Sequence, residues 1–138
     1  MALVLGTGPL YAALDRSDHN HLRSRRLVEA TRERLVVPPP VLVEVDQLLA
    51  RGRAADRSAE VLGDIAAGAH LVEELTLGDY ARVRQICERC ADSDVGFVDA
   101  AVLAIVERLN EPKPATLDHR HFGILRPRHV DTPRLVPD

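Results

Sequence analysis

Three acidic residues stand in apolar surroundings, where a carboxylate is costly unless it is hydrogen-bonded or holds a cation. Glu44 lies within the apolar segment 41–45, Asp99 within the segment 96–102, and Asp118 directly after Thr116 and Leu117. Carboxylates that share one cleft repel each other, and a Mg²⁺ or Mn²⁺ ion relieves that repulsion. Such an ion can activate a water molecule and neutralise the charge that develops when a phosphodiester is cleaved.

Each of these acids also has a purely structural explanation. Asp99 falls in the first turn of a predicted helix, where the helix dipole favours a negative charge. Asp118 can cap the turn at residues 118–121. Glu44 can be a solvated residue on the outside of its helix. Spacing alone therefore leaves both interpretations open.

Short apolar segments alternate with helical ones along the chain, and this pattern predicts an α/β domain with a short parallel sheet. The predicted strands are 3–5, 35–37, 70–73 and 115–117, with a last short one near 135–136. The first predicted helix is short, has Pro9 in its first turn and runs through Leu14. The others are one capped by Ser17 or Asp18, 41–50, 57–67, one capped by Thr76 with Asp79, and 97–109. Ligands of parallel sheets bind at the carboxyl ends of the strands. That edge is where Gly6, the segment after Val37, and Asp118 are expected.

Length and composition fit one globular domain. The chain has 138 residues, of which 46% are apolar and 28% charged. No apolar run approaches the roughly 20 residues that cross a membrane, and the first residues lack the features of a signal peptide, so we expect a cytoplasmic protein. Cys87 and Cys90 fall in a helical segment and are interpreted as reduced helix residues rather than a zinc or redox site.

The charge balance argues against a protein that coats nucleic acid through its overall field. Eighteen basic residues against 21 acidic ones give a net charge of −3. Lys113 is the single lysine, and the arginines that supply the other basic residues favour bidentate phosphate contacts. GC-rich coding explains the same bias, so a local nucleic-acid site stays open.

Four segments in order resemble the PIN-domain family, and more closely the VapC-type toxins of bacterial toxin–antitoxin pairs. They are VLGTGPLYA at 4–12, VEVDQLL at 43–49, FVDAA at 97–101 and ATLDHRHF at 115–122. The resemblance implies a single PIN domain over residues 1–138, with a three-layer α/β/α fold around a central short parallel sheet. It also implies a Mg²⁺- or Mn²⁺-dependent endoribonuclease with an RNA substrate, a VapB-like antitoxin as partner, and a homodimer or a toxin–antitoxin hetero-oligomer.

By this resemblance Glu44, Asp99 and Asp118 correspond to the family's acidic cluster. Asp99 would be a direct metal ligand, and the other two acids would hold the metal or its waters. Thr7 matches a small hydroxyl residue that supports the site, and Asp94 is a candidate auxiliary acid, although a solvated loop position explains it as well.

Gly6 departs from the family pattern, which has an aspartate at this strand end. A glycine has no carboxylate to hold a cation or a water. We therefore expect weak metal binding and impaired RNA cleavage, whether the glycine is natural or an inactivating change. The alternative is a catalytically inactive PIN module that acts by binding its antitoxin or RNA, and a DNA-directed nuclease is a third hypothesis.

Other residues give weaker indications. With 3% aromatic residues, base stacking is expected from Tyr11, Phe122 or an arginine plane. Phosphate contacts are one interpretation of Arg120, Arg126 and Arg128, and a solvated face is the other. His119 and His121 are interpreted as part of a polar turn. The helices around 22–28 and 61–65 are candidates for an antitoxin groove, and core packing explains most of their apolar residues equally well.

Overall fold

Short apolar strands pair into a parallel sheet in the computed structural model, which describes residues 2–92 and 95–110. The strands lie in the order β1 (Ala2–Val4), β2 (Arg34–Val37) and β3 (His70–Val72). Leu3 faces Leu35 across the first pair, and Val36 faces Leu71 across the second. The predicted parallel sheet is thus present, while the strands predicted at 115–117 and 135–136 lie outside the described residues.

Helices connect and cover these strands, as predicted for an α/β fold. They are α1 (Thr7–Leu14), α2 (His21–Ala30), α3 (Pro39–Arg51), a 3₁₀ turn (Ala55–Arg57), α4 (Ser58–Ala66), α5 (Leu77–Arg89) and α6 (Phe97–Arg108). No described helix is long and apolar enough to cross a membrane.

The start of the second helix differs from the prediction, whereas the first helix agrees with it. Helix α1 begins at Thr7, so Pro9 lies in its first turn as predicted, where the amides need no intrahelical partner and a proline is tolerated. Helix α2 begins at His21, and neither Ser17 nor Asp18 caps it. Ser17 donates to Asp15 instead, and Asp18 accepts from the Asn20 amide, so these residues form a turn before the helix.

Helix α6 is the central helix of the core. Residues 100–106 are all buried, which is expected of a helix surrounded by other elements rather than one with a single apolar face. It packs against β1 and α5. This packing fixes α6, which carries Asp99 in its first turn, between the sheet and α5.

Two polar contacts fix α5 against α6. Thr76 and Asp79 form the predicted capping box at the start of α5, and Arg108 of α6 donates to that same Asp79 carboxylate at 2.9 Å. Elsewhere along the two helices, Arg82 makes two hydrogen bonds of 2.8 and 3.0 Å to Glu107. Since both pairs bridge the helices, α5 and α6 are held in one register.

Candidate active site

The end of β1 leads directly into α1 through Gly6. The amide of Leu5 still donates to the Val36 carbonyl at 2.9 Å, so the strand pairing continues up to this glycine. Gly6 is buried and is the N-cap of α1, with an extended backbone (φ −83°, ψ 176°) and no side chain to cap the helix. The conformation is open to any residue, so the backbone gives no reason for glycine at this position.

Thr7 follows as the first residue of α1. Its Oγ1 is buried and has no hydrogen-bond partner among the described residues. A buried hydroxyl without a partner is uncommon and calls for an explanation, such as a ligand, an ion or a water molecule. The sequence indicated Thr7 as a supporting residue beside a metal site, and this hydroxyl is available for that role.

Glu44 lies on α3, which begins just after β2. Pro38 is the N-cap of α3 and Pro39 opens its first turn, where a proline fits the helix start. Glu44 follows about one turn later and is half-buried. Its carboxylate makes no hydrogen bond or ion pair within the described part of the chain, so packing and pairing do not account for it.

Asp99 lies in the first turn of α6, as predicted. Gly96 is the N-cap and offers no capping side chain, and Asp99 is half-buried. The favourable dipole at this helix start stabilises its negative charge. The structural explanation and the metal-ligand hypothesis therefore both fit Asp99.

A groove of about 420 Å³ connects these elements. Glu44 of α3 lines it together with Phe97 and Val98, the two residues that precede Asp99 in α6. Its other lining residues are Pro39, Pro40, Val43, Gln47, Glu74, Leu75 and Tyr80. The groove thus brings the helix of Glu44 to the helix start of Asp99, next to the segments that follow β2 and β3. Asp94 and Asp118 lie outside the described residues.

The family model of the PIN domain matches residues 3–124, which includes this strand-end glycine and all of the acids above. The chain belongs to the PIN domain family. It is 29% identical over 125 residues to Ribonuclease VapC26 of Mycobacterium tuberculosis, a match that covers 91% of this chain and 93% of the relative.

Solved structures show the same PIN fold at lower identity. VapC20 of M. tuberculosis, described as a sarcin–ricin loop cleaving toxin, superposes with a TM-score of 0.74 at 19% identity over 81% of this chain and 86% of that one. A toxin–antitoxin complex from Klebsiella pneumoniae gives 0.66 at 15% identity, over 97% of this chain and 99% of that one. These neighbours agree with a three-layer α/β/α PIN fold.

The described residues of this PIN domain fit a divalent cation only in part. Glu44 and Asp99 supply the carboxylate oxygens that Mg²⁺ and Mn²⁺ prefer, and the Thr7 hydroxyl is buried without a partner. No group of three histidine, cysteine or acidic residues that could hold a metal occurs within residues 2–92 and 95–110. Gly6 has no side chain and therefore supplies no ligand at the end of β1.

Two aromatic residues beside this groove were not predicted from the sequence. Tyr80 of α5 and Phe97 of α6 stack with their ring centroids 6.4 Å apart and their planes 18° apart, and they remain 51% and 45% exposed. Tyr11, one of the stacking candidates named from the sequence, donates a hydrogen bond from its hydroxyl to Asp15. Phe122 lies outside the described residues, and the two rings that do meet are far apart along the chain, so no local signal predicts the pair.

The arginines predicted to contact phosphate, Arg120, Arg126 and Arg128, lie outside the described residues, as do His119 and His121. Arginines within the described part include three that pair with carboxylates. Arg25 bridges α2 to Glu60 of α4 at 2.9 Å, and Arg82 and Arg108 join α5 to α6. Hydrogen bonds to their carboxylate partners raise the pKa values of Arg25 and Arg82 above their ordinary range. These three side chains act as structural links.

Proposed function

We propose that this chain is the toxin of a toxin–antitoxin pair, a metal-dependent endoribonuclease whose activity is impaired by Gly6. The observation that carries the proposal is the position of Gly6, at the end of β1 and beside the buried Thr7 hydroxyl, at the sheet edge where the parallel strand β2 leads into the helix of Glu44. The ribonuclease and toxin relatives of this PIN domain support the reaction class.

In this proposal Glu44, Asp99 and Asp118 hold a Mg²⁺ or Mn²⁺ ion, with Asp99 as a direct ligand. When bound, the ion supplies a water of lowered pKa and offsets the charge that develops on the cleaved phosphodiester. The protein's own residues position it. The first turn of α6 stabilises the Asp99 carboxylate, Thr7 offers a hydroxyl at the strand end, and Asp94 is an auxiliary acid.

Restoring the missing acid tests this function. In Mg²⁺ and in Mn²⁺, Gly6→Asp is expected to cleave structured RNA faster than the present chain by about two orders of magnitude, because each acid of such a site positions the ion and the water. Gly6→Asn is the matched control, since it has the same shape without the charge. Asp99→Asn in the Gly6→Asp background should remove the gained activity.

The result that contradicts the proposal is equal cleavage by Gly6→Asp, Gly6→Asn and the present chain. DNA of the same sequence and structure serves as a second substrate. Faster cleavage of DNA than of RNA by Gly6→Asp would favour the DNA-directed alternative.

The second candidate function is an inactive PIN module that binds an antitoxin or RNA, and the absence of a side chain at Gly6 favours it. Both candidates share an antitoxin partner, which the toxin–antitoxin complexes among the structural neighbours support. On this chain Leu22 of α2 and Leu62 of α4 are 69% and 56% exposed, in the two helices that are candidates for an antitoxin groove.

Co-expression with the product of a neighbouring small reading frame tests the antitoxin partner. Leu22→Asp and Leu62→Asp should each weaken copurification, whereas Leu77→Asp, on another exposed apolar residue, should not.

We further propose that residues 1–138 form one PIN domain, that the protein is cytoplasmic, and that it forms homodimers or toxin–antitoxin hetero-oligomers. The mass of the purified chain, alone and with its antitoxin, measures the last of these.

A further inference from the structure

We propose that the groove between α3 and the starts of α5 and α6 is a subsite for one nucleobase of single-stranded RNA, with Tyr80 and Phe97 as its stacking platform. The inference rests on the proposed function, because it places this base next to the phosphodiester that the acids would cleave. It adds to that function a specificity element which the acids themselves do not supply.

The position of the groove links it to the acids. Glu44 lies in its wall, and Phe97 stands two residues before Asp99 at the start of the same helix. Consecutive nucleotides of a single strand are close in space. A phosphate at the acids would therefore place a neighbouring base within reach of Tyr80 and Phe97.

The size and walls of the groove suit a planar base. Its volume of about 420 Å³ lies in the range of about 300–1,000 Å³ that is usual for small-ligand sites, which combine apolar walls with a few polar groups. Unstacked RNA bases are commonly held against exposed aromatic rings. Both rings here are about half exposed despite stacking on each other, so each retains accessible surface for a third ring.

The platform is rigid before any ligand arrives. Tyr80 lies in the first turns of α5, whose start is fixed by the Thr76–Asp79 capping box. Arg108 of α6 donates to Asp79, to the Glu73 carboxylate at 2.8 Å and to the Glu74 carbonyl at 3.1 Å. A stacking surface that is already ordered loses little conformational entropy on binding.

The polar lining favours a base with N–H donors over a second copy of this chain. Glu44, Glu74 and Gln47 are the polar side chains of the groove, and none of its described lining residues is basic. The two carboxylates are acceptors only, and a symmetric dimer would set them against the same acceptors of the second copy, whereas a base supplies N–H donors. Guanine presents two adjacent N–H donors to a carboxylate on its Watson–Crick edge, whereas uracil presents one between two carbonyls. We therefore assign the subsite to guanine in preference to uracil.

The test measures binding apart from cleavage. Short fluorescein-labelled RNA strands carry a guanine, a uracil or an abasic nucleotide at one test position, and the test position is moved along the strand to find where the base affects affinity. The affinity of each strand is measured by fluorescence anisotropy with Ca²⁺ in place of Mg²⁺. When guanine stands at the position that affects affinity, the Tyr80→Ala and Phe97→Leu variants are expected to bind this strand about tenfold more weakly than the parent chain does, as is usual when a stacking ring is removed. Tyr80→Phe and the exposed Leu77→Ala should bind like the parent chain.

The abasic strand makes the comparison specific for stacking. Against it, Tyr80→Ala and the parent chain should bind equally, because the base that would stack is already absent. Equal weakening of guanine and abasic strands by Tyr80→Ala would overturn the proposal. Glu74→Gln should reduce the preference for guanine over uracil about tenfold, and an unchanged preference would overturn the guanine assignment.

Sedimentation and peptide competition test two other possible occupants of the groove, a second copy of this chain and an arginine-containing peptide. If Tyr80→Ala halves the mass of the protein and leaves RNA affinity unchanged, the groove is an interface between copies and the proposal is wrong. The proposal is also wrong if an arginine-containing peptide binds in a Tyr80-dependent manner while RNA binding does not depend on Tyr80. Since none of these measurements uses cleavage, inactivity of Gly6→Asp would overturn the nuclease function without deciding the base subsite.

Discussion

The Tyr11 hydroxyl donates a hydrogen bond to the Asp15 carboxylate one helical turn later, at the end of α1. Ser17 donates to the other carboxylate oxygen with both its amide, at 2.9 Å, and its hydroxyl, at 2.6 Å. Asp15 is only 8% exposed, so these donors replace the water that burial removes. Gly52, at the end of α3, lies so close that a Cβ there would sit 3.1 Å from the Tyr11 oxygen.

We expect Tyr11→Phe to lower the free energy of unfolding by about 2 kcal/mol, because it removes one hydrogen bond to a buried charged group. Urea denaturation measures the change. Tyr80→Phe is the matched control, since Tyr80 is half exposed and water can replace its hydroxyl contacts. Equal stability of the two variants would contradict the structural role of the Tyr11 hydroxyl.

The same cluster predicts a pH dependence of stability. Hydrogen bonds from Ser17 and Tyr11 hold the pKa of Asp15 below its ordinary value, and the bond to Asp15 raises the pKa of Tyr11 to about 12. A depressed carboxyl pKa gives stability that is present above the unfolded pKa of about 4 and is lost as the pH falls through the lower folded value. The Tyr11 contribution is lost only as the pH rises through a folded pKa of about 12.

Asp15→Asn should therefore be less stable than the parent chain at pH 7, and the difference should shrink as the pH falls below the ordinary carboxyl pKa of about 4. Denaturation midpoints at neutral and acidic pH measure it. An equally large difference in acid would show that shape, rather than the charge of Asp15, carries the stabilisation.

This cluster also shows what local spacing can and cannot predict. Tyr11 stands in the first motif, beside the strand end, and its place as one of several candidates for stacking stays a prediction. Asp15 follows it by one helical turn, and side chains four residues apart on a helix meet, so the pairing was readable in principle. The stacked pair of Tyr80 and Phe97 was not, because it depends on how α5 packs against α6.

A buried ion pair sets that packing. Arg82 and Glu107 are 14% and 10% exposed and lie 2.8 Å apart. We expect Arg82→Met to lower the free energy of unfolding by about 3 kcal/mol, since it removes the guanidinium that pairs with the buried Glu107 carboxylate. The double variant Arg82→Met with Glu107→Leu should be less destabilised than the single one, because no buried charge then remains.

The exposed pair of Arg84 and Glu88 is the control for this cycle. Its side chains are 81% and 64% exposed at a similar distance of 2.9 Å, so Arg84→Met should change stability by only about 0.3–0.5 kcal/mol. Chemical denaturation of the single and double variants of each pair measures the change in unfolding free energy for each substitution and, from these, the coupling energy of the pair. A coupling energy for Arg82 and Glu107 as small as that of the exposed pair would contradict the assigned role.

The start of α5 gives a further prediction. Thr76 caps this helix through its hydroxyl, at 3.1 Å from the Asp79 amide, so Thr76→Ala should lower stability by about 1 kcal/mol while Thr76→Ser should not. Because Asp79 also holds Arg108, loss of the cap should loosen the segment before Tyr80. Hydrogen exchange of the α5 amides tests this, and unchanged exchange in Thr76→Ala would contradict it.

Most of the fold could be predicted from the sequence because apolar runs and their breaks are local. The described strands and helices lie close to their predicted positions, and the Thr76–Asp79 cap was predicted from spacing alone. The site was less accessible. The sequence placed Glu44 and Asp99 in the early turns of their helices, but the aromatic groove that joins these helices is tertiary. The metal-site roles of Glu44, Asp94, Asp99 and Asp118 stay predictions.

Gly6 leads to a last prediction that separates a metal ligand from a helix cap. Its extended backbone at the N-cap of α1 is the conformation in which aspartate and asparagine cap helices. Gly6→Asn should therefore be as stable as the parent chain or slightly more so, with or without Mg²⁺. In Gly6→Asp the same cap competes with repulsion from the nearby acids, so without metal its stability should fall below that of Gly6→Asn.

Added Mg²⁺ or Mn²⁺ should then raise the melting temperature of Gly6→Asp more than that of the other two proteins, because a cation that binds only the folded state stabilises it by mass action. Thermal denaturation over a series of metal concentrations measures the shift in melting temperature. The same series with Ca²⁺ shows how selective the site is for Mg²⁺ or Mn²⁺. If the metal stabilises Gly6→Asn as much as Gly6→Asp, the carboxylate at this position is not a ligand. The impairment assigned to Gly6 would then need another cause.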